Sequence, residues 1–224
     1  MKFLVISDLH GNKEILDKMQ TQFNEADAVL FAGDFTKFNE IETGLPALEK
    51  LCAMHDTIYS VLGNCDPCDF IENLENKDIN VQGCLITQSG LAFAGSGGGS
   101  KFSGDTPNER EDNELAEDFN IVTDTFDGEW NNLIAIMHNP PKDTKCDMIP
   151  NGIHVGSPAL RSFIEKVQPL AVVTGHIHES AGIDTIGKTT VINPGPLLEG
   201  CYATLEVQKN GEEWSVVKAE LKKL

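Results

Sequence analysis

Short apolar runs alternate with helix-period stripes along the first third of the chain, and this alternation limits the possible folds more than any other feature. Residues 2–6, 28–32 and 57–62 are strand candidates. Between them, Ile15, Leu16, Met19 and Phe23 form one helical stripe, and Leu45, Leu48, Leu51 and Cys52 form another. Strand, helix, strand, helix, strand at this spacing predicts βαβ units and a parallel sheet. With 224 residues, 40% of them hydrophobic, the chain can bury a substantial core. No internal repeat or long linker divides it, so residues 1–224 are expected to form one domain with two sheets.

The middle of the chain changes character. Residues 85–87 and 91–94 read as short strands across the polar turn Gln88-Ser89-Gly90. Residues 95–100, Gly-Ser-Gly-Gly-Gly-Ser, are expected to be flexible and to let the backbone turn near the site. They lack the Gly-Lys-Ser/Thr ending of a P-loop. Leu115, Phe119, Val122 and Phe126 recur at helical spacing, which predicts one amphipathic helix with the acids of residues 105–118 on its solvated face. Residues 133–137 and 170–174 are further strands. Between them Ser157 and Pro158 suit the N-cap and first position of a helix carrying Leu160, Phe163, Ile164 and Val167. The tail predicts antiparallel strands at 182–186, 189–192, 203–207 and 214–218, the last pair joined at Asn210-Gly211.

Charge narrows the function. Basic residues number 17 and acidic residues 35, for a net charge of −18, which argues against a general nucleic-acid or membrane-surface binder. Arg110 and Arg161 are the only guanidinium forks. A phosphorylated substrate therefore needs another source of positive charge, and bound metal ions are the simplest. No apolar run reaches the ~20 residues of a membrane span, and Asp8 and His10 interrupt the apolar start where a secretory segment would continue. Cysteines 52, 65, 68, 84, 146 and 201 show no disulfide framework and are read as reduced thiols. A cytoplasmic protein is expected.

Five of the predicted strands end in polar residues able to ligate a metal. Asp8-Leu9-His10 follows the first, Gly33-Asp34 the second and Gly63-Asn64-Cys65-Asp66 the third; His138 and Gly175-His176-Ile177-His178 follow two later ones. Open α/β sheets bind ligands just beyond the carboxyl ends of their strands. Each motif alone is weak, but the ordered set is specific. Imidazole, carboxylate and amide oxygen suit divalent ions such as manganese, iron or zinc. Without cations, bringing Asp8 and Asp34 together would raise at least one carboxylate pKa by repulsion. Two dications reverse that penalty, and a carboxylate shared between ions ~3.5–4 Å apart with a bridging hydroxide is the arrangement expected of phosphoesterases.

In family order, Asp8-x-His10, Gly33-Asp34, Gly63-Asn64-x-Asp66, His138 and Gly175-His176-x-His178 resemble the calcineurin-like metallophosphoesterases, over residues 3 to about 195. His138-Asn139-Pro140-Pro141, His154-Val155-Gly156-Ser157 and Asn193-Pro194-Gly195 look like the small prokaryotic members. The resemblance implies a four-layer α/β/β/α sandwich of two mixed sheets with the site at one rim. It also implies a first metal held by Asp8, His10, Asp34 and His178, and a second held by Asp34, Asn64, His138 and His176. Asn12 and Asp66 would orient the ligands, and Asp34, Asn64, Cys65 and Asp66 are the residues expected to carry catalysis.

One departure bears on substrate choice. Most family members have His where this chain has Cys65, and a thiol is the poorer cationic partner and hydrogen-bond donor. A monoester dianion misses that help more than a diester does, so a small phosphodiester is the expected substrate. Cys65-x-x-Cys68 is neither a thioredoxin-like redox pair nor, lacking a second pair, a zinc knuckle. His154 is open to two readings, a substrate contact or a surface loop residue, and His55 reads as a helix-end side chain. The alternatives are a nuclease on the same fold, a phosphomonoesterase, or an interaction scaffold like a relative in the retromer coat. A nuclease would want a basic groove, and a scaffold would show degraded ligands.

Overall fold

The computed structural model describes residues 1–102 and 104–224. Strand β1 (Lys2–Ile6) leads through a 3-10 turn, Lys13–Lys18, into helix α1 (Gln20–Glu25), and β2 (Ala28–Phe31), α2 (Ile41–Met54) and β3 (Ile58–Ser60) follow. Next come α3 (Ile71–Asn76), β4 (Leu85–Gln88), β5 (Leu91–Ser96), β6 (Gly99–Ser100) and β7 (Glu109–Arg110). Helices α4 (Asp112–Glu117) and α5 (Asn120–Thr125) precede β8 (Leu133–Met137), α6 (Pro158–Val167) and β9 (Ala171–Val173). The chain ends in β10 (Gly182–Ile186), β11 (Thr189–Asn193), β12 (Cys201–Asn210) and β13 (Glu213–Lys223).

Two mixed sheets result, ordered β13-β12-β1-β2-β3 and β10-β11-β9-β8-β5-β4. β1, β2 and β3 are parallel, as are β5, β8, β9 and β11, and antiparallel strands complete both sheets. Alternation along β1 shows how the layers are built. Phe3 and Val5 point between the sheets to meet Phe93, Ile134 and Val173, while Leu4 and Ile6 join Leu16, Phe23, Leu48 and Leu51 beneath the first helices. The outer face of the second sheet, with Leu133, Ala135 and Val172, is covered by Leu115, Phe119, Leu160 and Ile164. Strands covered on both faces read as unbroken apolar runs. This is the expected α/β/β/α sandwich.

Three local expectations are corrected. The first predicted helix divides at Met19 into the 3-10 turn and α1. Its apolar stripe stays buried, but the chain enters from left-handed backbone at Asp8, His10 and Gly11, a tight approach that suits 3-10 winding. The helix predicted over 115–126 is also two pieces, because the Arg110 guanidinium takes the Glu114 carbonyl (2.8 Å) and the Asp118 carboxylate (2.9 Å). The Glu114 carbonyl thus has a partner outside the helical ladder, α4 stops before Phe119, and Phe126 is left exposed. Residues 95–100 are not flexible: Ser96 ends β5, and the Gly98 and Gly99 amides donate to Leu62 and Asn108 carbonyls at 3.0 and 3.1 Å. Ser157 caps α6 as expected, accepting from the Leu160 amide at 3.0 Å.

Candidate metal centre

The carboxyl ends of β1, β2 and β3 in one sheet and of β8 and β9 in the other meet at a common rim. There the structure brings together Asp8, His10, Asp34, Asn64, His138, His176 and His178. His10 Nε2 lies 3.3 Å from His178 Nε2 and 3.5 Å from Asp34 Oδ2. His178 Nε2 is 3.3 Å from Asp8 Oδ1. On the other side, His138 Nε2 lies 3.6 Å from Asp34 Oδ2 and 2.8 Å from Asn64 Oδ1. The His176 ring stands 5.1 Å from that of His138, centroid to centroid. Asp34 is thus the residue shared by both halves.

The backbone is bent to achieve this. Asp8, His10, Asp34 and His176 all adopt left-handed conformations, with φ of 57°, 47°, 65° and 68°. Non-glycine residues visit that region at a cost, and such outliers gather at functional sites. Close approach adds a second constraint. A Cβ on Gly63 would stand 1.9 Å from Asp34 Oδ1, and one on Gly175 would stand 1.9 Å from Ser7 Oγ. Only glycine at these positions lets the β3 loop lie against Asp34 and the β9 loop against Ser7.

Asp66 does not face the ligand cluster. Its carboxylate accepts the amides of Gly63 (2.8 Å), Asp34 (3.0 Å), Phe35 (3.2 Å) and Thr36 (2.8 Å), so it locks the β2 and β3 loops together. The Cys65 amide donates to Asp34 Oδ1 at 2.8 Å. Asn12 makes no side-chain cap to the turn that follows it. His55 is structural: its ring bonds the Ala26 carbonyl and the Thr57 amide. His154 pairs with the buried Asp147 carboxylate at 2.8 Å, and the exposed Cys68 contacts Asn108. Two supporting residues escape sequence reasoning about the site. Asn108 donates from Nδ2 to the Gly63 carbonyl at 3.0 Å, and nothing in its acidic neighbourhood signals this. Asn193 donates to the Ile177 carbonyl at 2.9 Å, holding the loop of His176 and His178; the Asn-Pro-Gly motif was its signal.

The donor set suits cations. His138 Nδ1 lies 2.6 Å from the Ala32 carbonyl and donates to it, which leaves a lone pair on Nε2 facing Asn64 Oδ1. The Asn64 amide nitrogen is turned instead to the Cys65 thiol. Electron-rich atoms therefore face one another, as they do around an ion. Burial, then the charges of Asp66 and Asp8, push the Asp34 carboxyl well up. For Asp8 burial works in the same direction, but the His178 hydrogen bond and nearby histidines outweigh it and the pKa falls. Burial lowers His10 and His138, and burial with the Asp34 charge raises the Cys65 thiol, which stays protonated.

In the metal-free protein, burial and then the charge of His138 pull His176 down to about 3. The unfolded chain keeps the ordinary value near 6.5, so between roughly pH 6.5 and 3 it binds a proton that the folded ring refuses. This group's contribution therefore lowers stability as pH falls through that window. The His176 Cε1 proton of chelator-treated protein is expected to show no titration between pH 7 and 5 by NMR; a midpoint near 6.5 would contradict the packing described.

Comparisons with known proteins show the family. The family model for calcineurin-like phosphoesterases matches residues 1–180. An uncharacterized protein of Methanocaldococcus jannaschii is 33% identical, covering 94% of this chain and 94% of its own. Among solved structures, a Thermus thermophilus protein aligns at TM-score 0.74 and 19% identity, covering 99% of this chain and 98% of that one. A dimetal phosphatase from Danio rerio aligns at TM-score 0.64 and 14% identity over 100% and 98% of the two chains. The chain belongs to the calcineurin-like phosphoesterases, a dinuclear metal-dependent family, and is a metal-dependent phosphoester hydrolase. Among the described residues no helix is long and apolar enough to cross a membrane.

Proposed function

We propose that this chain is a single-domain cytoplasmic phosphodiesterase for small esters, working with two dications, manganese foremost. Asp8, His10, Asp34 and His178 would hold the first ion, and Asp34, Asn64, His138 and His176 the second. The observation that carries this reading is the meeting of lone-pair donors from the ends of β1 and β8 at Asp34, with His178 from beyond β9 set against Asp8 and His10. When bound, the ions supply positive charge for the phosphate oxygens and make water acidic enough to attack near neutral pH. The chain's own task is placement. Asp66 fixes the Asp34 loop through backbone amides, Ala32 sets the His138 tautomer, and the Asp8 carboxylate receives the His176 amide. The unpaired state of the six cysteines supports a reducing compartment.

Cys65 supports the diester preference. Its thiol is neutral where an imidazolium would meet the extra charge of a monoester, and no guanidinium compensates. Arg110 is bound to Gly97, Glu114 and Asp118, and Arg161 to Glu165, Lys142 and Asp143. Manganese-restored enzyme is expected to turn over bis-p-nitrophenyl phosphate faster than p-nitrophenyl phosphate. Cys65→His should raise monoester turnover about tenfold or more by adding a general acid. Faster monoester hydrolysis by the unaltered enzyme would overturn the preference, and no turnover with manganese, iron or zinc would overturn the enzyme itself.

A further inference from the structure

A cleft of about 440 Å³ adjoins the candidate metal centre, and the two share walls: Asn64 and His176 belong to both. Its size lies within the range of small-molecule sites. Ile149, Val155 and Ile177 give its lining an apolar part. Val155 is 36% exposed and Phe102, another lining residue, is 97% exposed. Large apolar side chains so open to water beside a polar metal centre gain cover when a flat ring settles on them.

The polar groups of the cleft restrict what that ring can carry. Glu109 lines it, and its carboxylate accepts the amides of Phe102, Gly104 and Thr106. Those backbone donors pull its pKa down to about 2, so it is charged throughout the working pH range. Among the described lining residues Lys101 is the one fixed cation, and it is paired with Glu111 at 2.8 Å; both arginines are engaged as described above. A second phosphate or carboxylate on the substrate would therefore meet like charge at Glu109 and would have to draw Lys101 from Glu111 to gain a cationic partner. Ser100 adds a buried hydroxyl oxygen with no hydrogen-bond partner among the described residues, which suits an arm bearing a heteroatom.

We infer that this cleft selects the ester arm of the substrate, taking an uncharged aryl or heteroaryl group and rejecting arms that carry a second anion. The inference rests on the phosphoesterase reading, because the phosphate must sit at the metal centre for its arm to reach the cleft. Nonhydrolysable phosphonates separate the two. Calorimetry on the full-length, manganese-loaded protein would compare methylphosphonate, phenylphosphonate and 4-carboxyphenylphosphonate, alongside turnover of bis-p-nitrophenyl phosphate. Phenylphosphonate is expected to bind about tenfold more tightly than the methyl compound, and the carboxylated compound no better than methyl. Val155→Asn should remove most of the phenyl advantage and leave methylphosphonate affinity within twofold. Glu109→Gln, which keeps an amide oxygen for the loop, should restore binding of the carboxylated compound. Equal affinity for all three arms, or a Val155→Asn loss that is the same for each, would overturn the cleft assignment while leaving the enzyme intact. Absence of both phosphonate binding and turnover would instead mean that the parent reading has failed.

Discussion

Asp34→Asn is expected to cut turnover about a thousandfold and to weaken both proposed metal positions at once. Among the described residues, the Asp34 carboxylate is the one group within 3.6 Å of ring nitrogens from both halves of the site, His10 at 3.5 Å and His138 at 3.6 Å. The amide keeps the shape and the bond from the Cys65 amide, but loses the charge that two cations share. Metal charge stabilisation is worth several kcal/mol of transition-state energy, and 1.36 kcal/mol is a factor of ten, so a loss of about a thousandfold is expected. Metal content measured after gel filtration should fall at both positions, and manganese is expected to raise the melting temperature of the unaltered protein but not of the variant. Near-normal turnover of the variant at full metal occupancy would refute the shared role.

The second large effect is on folding. Asp66→Ala removes the acceptor of four backbone amides, at Gly63, Asp34, Phe35 and Thr36, in a carboxylate that is fully buried. A hydrogen bond to a charged group contributes about 1.5–3 kcal/mol, and a buried donor left without a partner costs about 1–3 kcal/mol. Partial relaxation of the loop makes a net loss of about 4 kcal/mol a reasonable expectation for metal-stripped protein in urea. Asp66→Asn, which retains one oxygen, should lose less than half of that. An unchanged urea midpoint for Asp66→Ala would show that the loop holds itself.

The gathering of the strand-end candidates at one rim was legible because a parallel sheet delivers its polar groups at the carboxyl edge, and each group follows an apolar run that marks that edge. Asp8, Asp34, Asn64, His138 and His176 all stand one to four residues past a strand. The layering was legible for a related reason, since alternation on β1 separates Phe3 and Val5 from Leu4 and Ile6. Contacts between segments far apart in the chain were not. Nothing local marks Arg110 as the residue that ends α4, nor Asn108 as the clasp on Gly63. The run 95–100 misled because glycine composition speaks equally of looseness and of a seam pressed against neighbouring backbone. Periodicity records which face of an element is covered, but not which distant loop covers it.

Each half of the candidate metal centre draws on both sheets, Asp8 and Asn64 coming from one and His178 and His138 from the other. A short seam through residues 80–82 bridges Ser60 of β3 and Gly95 of β5, and the side chains between the sheets, such as the stacked rings of Tyr59 and Phe93, 3.7 Å apart, help set their spacing. The sandwich filling therefore acts as a shim. Changing its thickness far from the chemistry tilts one sheet against the other and parts or crowds the side chains that gather around Asp34.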